Sequence, residues 1–400
     1  MQIIRLAVFC EEYWNKGLIY TQNLMPLKKM ADNTGSKLEL VSFTSIYHYI
    51  FNYKDIKSFS KSLAEEGIKV YNYPTLYIPT RYMITRWFMK PFYNLNVWSY
   101  IKYLNRNDKS KNVIYDLRSY EVSLGFLDFY KNKNALFFDT RTDWIEENIN
   151  AGNFKKDSHS VRYWNKIEER MIRSFKKTFV ISDIFKNNLI EKYGNDVENK
   201  IEVIYNPIDY KHFDREKKYH SGKTFLYTGS LGQWNRLENY LGFFKDYHSI
   251  NSDSNLIICT STAENKVNAV LLRPEYDDIR GNISVYYNVK FEDLPIYYAK
   301  CDYGLQLMNK KDSRVGVKFI EYVAAGVVPI VSINVQGAAF LVQKYGIGVI
   351  VRGDETPNEI AVKIDNAGII KKSSESFLEF KSRTDLNSIS TRLEEVFFQK

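Results

Sequence analysis

Cysteine is nearly missing from this chain. Its 400 residues hold three, Cys10, Cys259 and Cys301, an odd number far apart in sequence, which excludes a disulfide framework and a CxxC-type zinc site. All three are expected to behave as small buried residues. Long apolar runs are missing as well. No window approaches the roughly 18 unbroken apolar residues of a membrane span, and the amino terminus lacks the basic-then-apolar order of a secretory signal; the expected location is therefore the cytoplasm. Familiar catalytic signatures are also absent. His48, His159, His212, His220 and His248 show neither HExxH nor paired-ligand spacing, so each reads as an ordinary surface or core histidine. There is no Gly-x-Ser-x-Gly elbow and no Walker-type loop, and the first strand is not followed by GxGxxG, which disfavours a dehydrogenase.

What is present is a globular balance, 44% hydrophobic and 26% charged residues, enough for two domains that each bury a core. The net charge of +9 is spread among interspersed acidic residues, and no RNA-binding signature accompanies it, so no nucleic-acid partner is expected. Strands are predicted at 3–9, 37–43, 69–73, 112–115, 135–139 and 177–182, with a helical pattern from beyond Gly17 to Met30 and helices between several of the strands. The same style repeats from Thr224 to about Val351. Strands alternating with helices imply parallel sheets covered on both faces. The expected hinge lies near Asn206 to Tyr219. A final apolar-periodic segment at about 386–398, within an expected carboxyl-terminal helix of 380–400, is expected to return to the first domain.

The richest stretch runs from Val315 to Ser332. Val317, Ile320, Val323 and Ala324 recur at helical spacing, Gly316 precedes them, Gly326 is placed to end the helix, and the run that follows suits a buried strand. Lys318 and Glu321, three apart, share one side of that helix near its start. A carboxylate there can accept both hydroxyls of a ribose, and the lysine with the free helix N–H groups can face phosphate oxygens. The bland alternative is a solvated Lys/Glu pair. Upstream, Thr224 to Thr228 is an apolar run that ends in Gly229-Ser230-Leu231-Gly232. Leu237, Tyr240, Leu241 and Phe244 then resume helical spacing. Such a strand–turn–helix lets backbone N–H groups approach an anion.

These two segments resemble the donor-binding region of family 4 glycosyltransferases (glycosyl transferases group 1) of the bacterial surface-polysaccharide type. The resemblance implies the GT-B fold: two Rossmann-like domains with parallel sheets facing each other across a cleft. It places an acceptor-binding domain at 1–207 and a nucleotide-sugar-binding domain at 208–379. Two glutamates eight positions apart are common in that family. Glu321 matches the second, expected at the ribose, while Ser313 stands at the first. The turn after the first strand of the second domain usually carries an arginine directly after the glycine and a lysine further on. Here Ser230 replaces the arginine and Arg236 takes the lysine position, keeping charge and adding a fork suited to phosphate. Arg236 and Lys318 are thus the expected catalytic cations, and Gly229, Ser230, Ser313, Gly316 and Glu321 complete the expected donor site. Segment 200–209 is similar to the family's interdomain stretch, with Asn206 and Asp209 read as turn formers.

On the acceptor side the family's glycine-bearing loop after the first strand is represented sparsely by Gly17. Arg118, Asp139 and Arg141 lie just beyond predicted strands, where parallel sheets bind ligands. Asp139 and Arg141 read equally as a structural ion pair. What the resemblance implies is a hexosyltransferase-like enzyme that moves a sugar from a UDP or GDP donor to a surface glycan, with retention and without a metal or other cofactor. The alternatives are an inactive GT-B protein that binds sugar nucleotides or glycans, and a GT-B sugar-nucleotide epimerase. Between 81 and 111, Arg81, Arg86, Lys90, Lys102, Arg106, Lys109 and Lys111 interleave with Trp87, Phe88, Phe92, Tyr93, Trp98, Tyr100 and Tyr103. That pattern suits contact with an anionic membrane carrying a lipid-linked acceptor at the inner face, or else an aromatic-rich helix packed in the core.

Overall fold

The computed structural model describes residues 2–10, 17–76, 95–106, 112–216 and 223–398. The chain divides into two units, Met1–Pro207 with Leu386–Lys400, and Ile208–Asp385. Each is built on one all-parallel sheet. In the first unit β1 (Ile3–Cys10), β2 (Lys37–Ser45), β3 (Lys69–Thr75), β4 (Val113–Arg118), β5 (Leu136–Asp139), β6 (Lys177–Val180) and β7 (Ile201–Val203) lie in the order β3-β2-β1-β4-β5-β6-β7. In the second, β8 (Thr224–Thr228), β9 (Asn255–Thr260), β10 (Ile283–Tyr287), β11 (Tyr303–Gln306), β12 (Val328–Ser332) and β13 (Val349–Val351) lie in the order β10-β9-β8-β11-β12-β13. Both orders step outward from a central strand and reverse beside it, which leaves a crevice at the carboxyl ends of the strands. Every residue of β5, β8 and β11 is buried, because helices cover both faces. This is why these strands read as continuous apolar runs rather than as alternating ones.

In the first unit the helical pattern beyond Gly17 is interrupted. A π-helical segment, Tyr20–Leu24, precedes the α-helix Met25–Thr34, and the wider turn places Gln22 and Asn23 inside, both buried. The expected 380–400 helix is divided at Asp385, which is extended (φ −66°, ψ 139°). Glu375–Thr384 stays with the second unit, and Leu386–Phe398 belongs to the first. Phe397 packs its ring 4.5 Å from that of Phe137 and 5.6 Å from that of Phe179.

Of the basic, aromatic stretch, residues 81–94 and 107–111 lie outside the described residues. The helix at 95–106 buries Val97, Tyr100, Ile101 and Leu104 in the main core of the first unit. It exposes Tyr103 and sets Lys102 Nζ 4.4 Å over the Trp98 ring. Its described part is therefore a core-packed helix with a cationic outer face. Among the described residues no helix is long and apolar enough to cross a membrane. Cys259 and Cys301 are both buried.

One contact fixes the helix Val317–Ala325 on the second sheet. Gly304 of β11 carries no side chain, and the Tyr322 ring occupies that space. A Cβ at Gly304 would sit 2.3 Å from the ring. The Tyr322 hydroxyl then reaches the carbonyls of Leu226 and Leu305, each at 3.3 Å. Gly326 (φ +72°) ends the helix in the left-handed conformation. Overpacking of a filled core costs about 1–3 kcal/mol, so Gly304→Ala is expected to lower the thermal midpoint of the second unit by several degrees. An unchanged melting curve would show that Tyr322 is not seated in this way.

Candidate functional site

The residues of interest in the second unit meet at the carboxyl ends of β8 and β11. Gly229 leaves β8 at φ +120°, and its N–H donates to the Cys259 carbonyl at 2.9 Å. The turn is pinned further by Tyr227, whose hydroxyl donates to the Ser230 carbonyl at 2.7 Å, and by Leu231 N–H to Thr262 Oγ1 at 2.8 Å. Lys318, from the first turn of Val317–Ala325, crosses to this turn. Its ammonium lies 4.2 Å above the Tyr227 ring, and a Cβ at Gly229 would come within 3.4 Å of Nζ. Glycine at 229 therefore answers to the positive φ, and a Cβ there would only touch the ammonium.

Glu321 stands one turn further along, buried at 8% exposure. Its Oε2 accepts from the Tyr298 hydroxyl at 2.7 Å, and that hydroxyl lies 3.0 Å from Thr228 Oγ1. Burial pushes the Glu321 carboxyl upward, against the downward pull of the Tyr298 hydrogen bond, Lys318 and His212. Burial also pushes the Lys318 ammonium down to about 7, which Glu321 opposes and Arg314 reinforces. This is no solvated surface pair. The lysine is held as a poised cation that an incoming anion would stabilise.

The loop before the helix is clamped by backbone. Asp312 N–H donates to the Asn334 carbonyl and Gln336 N–H to the Asp312 carbonyl, both at 2.8 Å. A Cβ on Gly337 would collide with the carbonyls of Ser313 and Arg314 at 2.4 and 2.6 Å. Ser313 is buried at the centre of this clamp. Gly316 lies against the Gln306 side chain, whose amide nitrogen would have to move to admit a Cβ (2.5 Å to Nε2). Ser230 is exposed at the rim of the glycine turn. Arg236 stands on the surface, its side chain 59% exposed and its Nε 3.8 Å from Glu238.

In the first unit Arg118, Asp139 and Arg141 do come together. Arg141 Nε lies 2.8 Å and 3.0 Å from the two Asp139 oxygens, with both side chains almost wholly buried. Asn23 donates to Asp139 Oδ2 and accepts from Arg118 Nη1, while Arg118 Nη2 donates to Gln22 Oε1 at 2.8 Å. Asp116, also on β4, lies beside them. Burial first and Asp139 second push its carboxyl well above the ordinary range, against the pull of Arg141 and Arg118. Among the described residues Asp116 Oδ1, Ser119 Oγ and Arg141 Nη1 are buried without a hydrogen-bond partner, and Ser119 holds a strained φ of +107°. Gly17 lies one turn before this cluster, where its carbonyl accepts the Thr21 N–H at 3.1 Å.

Sequence reasoning missed Gln22 and Asn23, which join the cluster only through folding, and likewise Tyr298, Gln306 and Arg314 in the second unit. His212, read as ordinary, stacks on Phe291 at 4.5 Å and acts electrostatically on Glu321. An available signal was the density of polar residues directly after predicted strands.

Two parallel Rossmann-like sheets, the second with a Lys/Glu pair beside a glycine turn, are the architecture of the GT-B fold. The structure of a glycosyltransferase from Rickettsia africae ESF-5 superposes with a TM-score of 0.68 at 15% identity, covering 100% of this chain and 99% of that one. Anabaena Alr3699/HepE in complex with UDP superposes at 0.67 and 13%, covering 99% of each. WaaG, a glycosyltransferase involved in lipopolysaccharide biosynthesis, superposes at 0.63 and 9%, covering 99% of this chain and 100% of that one. Identities this low establish the fold alone. Residues 209–380 match the family model described as Glycosyl transferases group 1, a stretch that spans nearly all of the second unit. No curated protein matches the chain by sequence.

The depressed Lys318 makes a signed prediction. From about pH 7 to its ordinary 10.5 the unfolded chain holds a proton that the folded chain has lost, so stability rises with pH across that window, by at most about 1.4 kcal/mol per pH unit. Denaturant unfolding at pH 7, 8 and 9 should show this rise in the wild type relative to Lys318→Met. Parallel curves would place the Lys318 pKa near its ordinary value.

Proposed function

We propose that the second unit binds a nucleoside-diphosphate sugar, UDP- or GDP-linked, and that the enzyme transfers the sugar with retention to a glycan of the bacterial surface, such as capsule, O-antigen or exopolysaccharide. The observation that carries this reading is the Lys318–Glu321 pair, its carboxylate buried and fixed by Tyr298 and its half-buried lysine facing the Gly229 turn. A carboxylate whose orientation is set by a buried tyrosine suits the two hydroxyls of a ribose. Gly229, Ser230, Ser313 and Gly316 line the approach of the diphosphate to the free N–H groups at Val317. In the transfer, the bond from the anomeric carbon to the diphosphate oxygen breaks with its electron pair left on the diphosphate, and the acceptor oxygen forms the new bond as its proton passes to the released diphosphate. Lys318, Arg236 and the helix N-terminus stabilise the charge left on the diphosphate, so the chemistry asks for no metal. The HepE structures in complex with UDP and with UDP-glucose support a nucleotide-sugar donor, and WaaG supports a surface-glycan acceptor.

The acceptor falls to the first unit, at the edge formed by Arg118, Asp139 and Arg141 with Asp116. The short helix Ile46–Phe51 continues from the carboxyl end of β2 with no buried residue, exposing Tyr47, Ile50 and Phe51 at 65%, 64% and 71%. Exposed lysines 54, 57 and 61 follow it. That combination supports a lipid-linked acceptor at an anionic membrane, the inner face of the cell membrane. The departures at Ser313 and Ser230 favour one competing reading, a GT-B protein that binds without turnover.

A donor panel separates the two readings. Release of UDP or GDP from at least one sugar nucleotide, by hydrolysis or transfer, is expected of the enzyme, and its absence across the panel would leave a binding protein. Activity is expected to survive a chelator, and loss restored only by magnesium or manganese would overturn the metal-free scheme. Glu321→Ala should weaken donor binding by at least tenfold, since charge-assisted hydrogen bonds contribute about 1.5–3 kcal/mol each. Unchanged affinity in a folded variant would remove Glu321 from the ribose.

A further inference from the structure

In the proposed donor site Lys318 and Glu321 meet the phosphates and the ribose, and no residue yet meets the base. An exposed aromatic ring lies on the same side of the second sheet. Phe291 opens the 3-10 turn Phe291–Asp293, just past the carboxyl end of β10. That strand is the sheet edge, two places from β8, and so about 10 Å along from the glycine turn. Phe291 is 42% exposed. A chain of contacts ties it to the ribose side of the site. Its ring lies 6.0 Å from that of Phe213, Phe213 lies 5.3 Å from the Tyr298 ring, and the Tyr298 hydroxyl donates to Glu321 at 2.7 Å.

A single exposed aromatic residue is ordinary on a protein surface and needs no function. Phe291 differs in how firmly it is held. The His212 ring stacks on it, 4.5 Å between centres and 10° from parallel, and His212 Nε2 donates to the Phe291 carbonyl at 3.1 Å. The turn itself is closed by Asp293 N–H to the Lys290 carbonyl at 3.0 Å, and the chain beyond β10 is anchored by Asn288 N–H to the Thr260 carbonyl at 2.9 Å. Phe213 meets the ring edge-on, at 80°. One face is therefore backed and one edge blocked, which leaves the exposed surface on the face away from His212. A flat apolar face already fixed in orientation loses little conformational freedom when a ligand covers it. His212 also stands near the carboxylate assigned to the ribose, since its charge pulls the Glu321 carboxyl down.

We propose that Phe291, backed by His212, is the platform on which the base of the nucleoside diphosphate stacks. This assignment rests on the nucleotide-sugar reading of the site. A nucleotide with its diphosphate at Lys318 and its ribose at Glu321 carries its base onward past Tyr298, along the carboxyl edge of the sheet toward β10. Every base has a π face, so the platform supplies affinity without choosing between uracil and guanine. A hexose ring also has an apolar side, and the experiment separates the two.

Calorimetric titration with UDP, UMP, GDP, GMP, UDP-glucose and GDP-mannose, on the wild type and on Phe291→Ala, Phe291→Leu and Phe291→Trp, tests the assignment. With the base on the ring, Phe291→Ala should weaken the preferred diphosphate and its monophosphate by the same factor, about fivefold to a hundredfold, since neither phosphate touches the ring. Phe291→Trp should stay within about threefold of the wild type because it keeps a π face, and Phe291→Leu should follow Phe291→Ala because it keeps bulk alone. Unchanged nucleotide affinity in Phe291→Ala with a wild-type melting curve would overturn the platform and leave Glu321 and Lys318 in place. A loss confined to the sugar conjugates would overturn it in favour of hexose stacking. A loss for the diphosphate without one for the monophosphate, or a rescue by leucine as complete as that by tryptophan, would overturn it in favour of an indirect effect on the site. Failure of the wild type to bind any of these nucleotides would defeat the nucleotide-sugar reading itself, and Phe291's assignment with it.

Discussion

Much of the second unit's chemistry hangs on a missing side chain. Because Gly304 has no Cβ, the Tyr322 ring can lie flat against the sheet, and its hydroxyl can meet the carbonyls of β8 and β11. That seat sets the rotation of the helix about its own axis. With the rotation set, Glu321 falls beside Tyr298 and Lys318 beside Gly229. Neither polar residue chooses its place by its own interactions, since burying a lone carboxylate and a lone ammonium is unfavourable. The apolar seat holds them where water would not have left them. The raised carboxyl and the depressed ammonium record that opposition.

The first unit solves a related problem differently. There the charged groups lie on the sheet itself, at the carboxyl ends of β4 and β5, beneath a π-helical turn. Arg141 pairs with Asp139, Arg118 spreads its bonds over two neutral amides, and Asp116 is pushed toward its protonated form. Several polar atoms remain without partners among the described residues. Incomplete satisfaction on this scale is unfavourable for stability alone, and suits a surface whose last partners come from a ligand.

Legibility in the sequence follows the range of the interaction. The strands of both sheets announce themselves as apolar runs, and the helix Val317–Ala325 by its period and its bounding glycines, since these are local properties. Lys318 and Glu321 were legible for the same reason. Their environment was not. Tyr298 reaches Glu321 from another helix, Trp234 meets Arg314 from another loop, and Asn23 joins Asp139 across more than a hundred positions. No periodicity encodes such meetings, which depend on the sheet order. The π-helical turn was hidden too, because its composition is that of an ordinary helix. Arg236 shows the converse: a position chosen by resemblance, with a side chain that points to solvent.

The helix Leu386–Phe398 lies across the first unit although the whole of the second unit precedes it in the chain. Ile389, Leu393, Val396 and Phe397 are buried there, and Phe397 closes over Phe137 and Phe179. During synthesis the second unit, continuous in sequence, can complete its core first. The earlier-made unit must wait with an apolar face open until these last turns emerge. Order of birth and order of completion are therefore reversed, and the interval between them is when the first unit is most exposed to aggregation and to proteases.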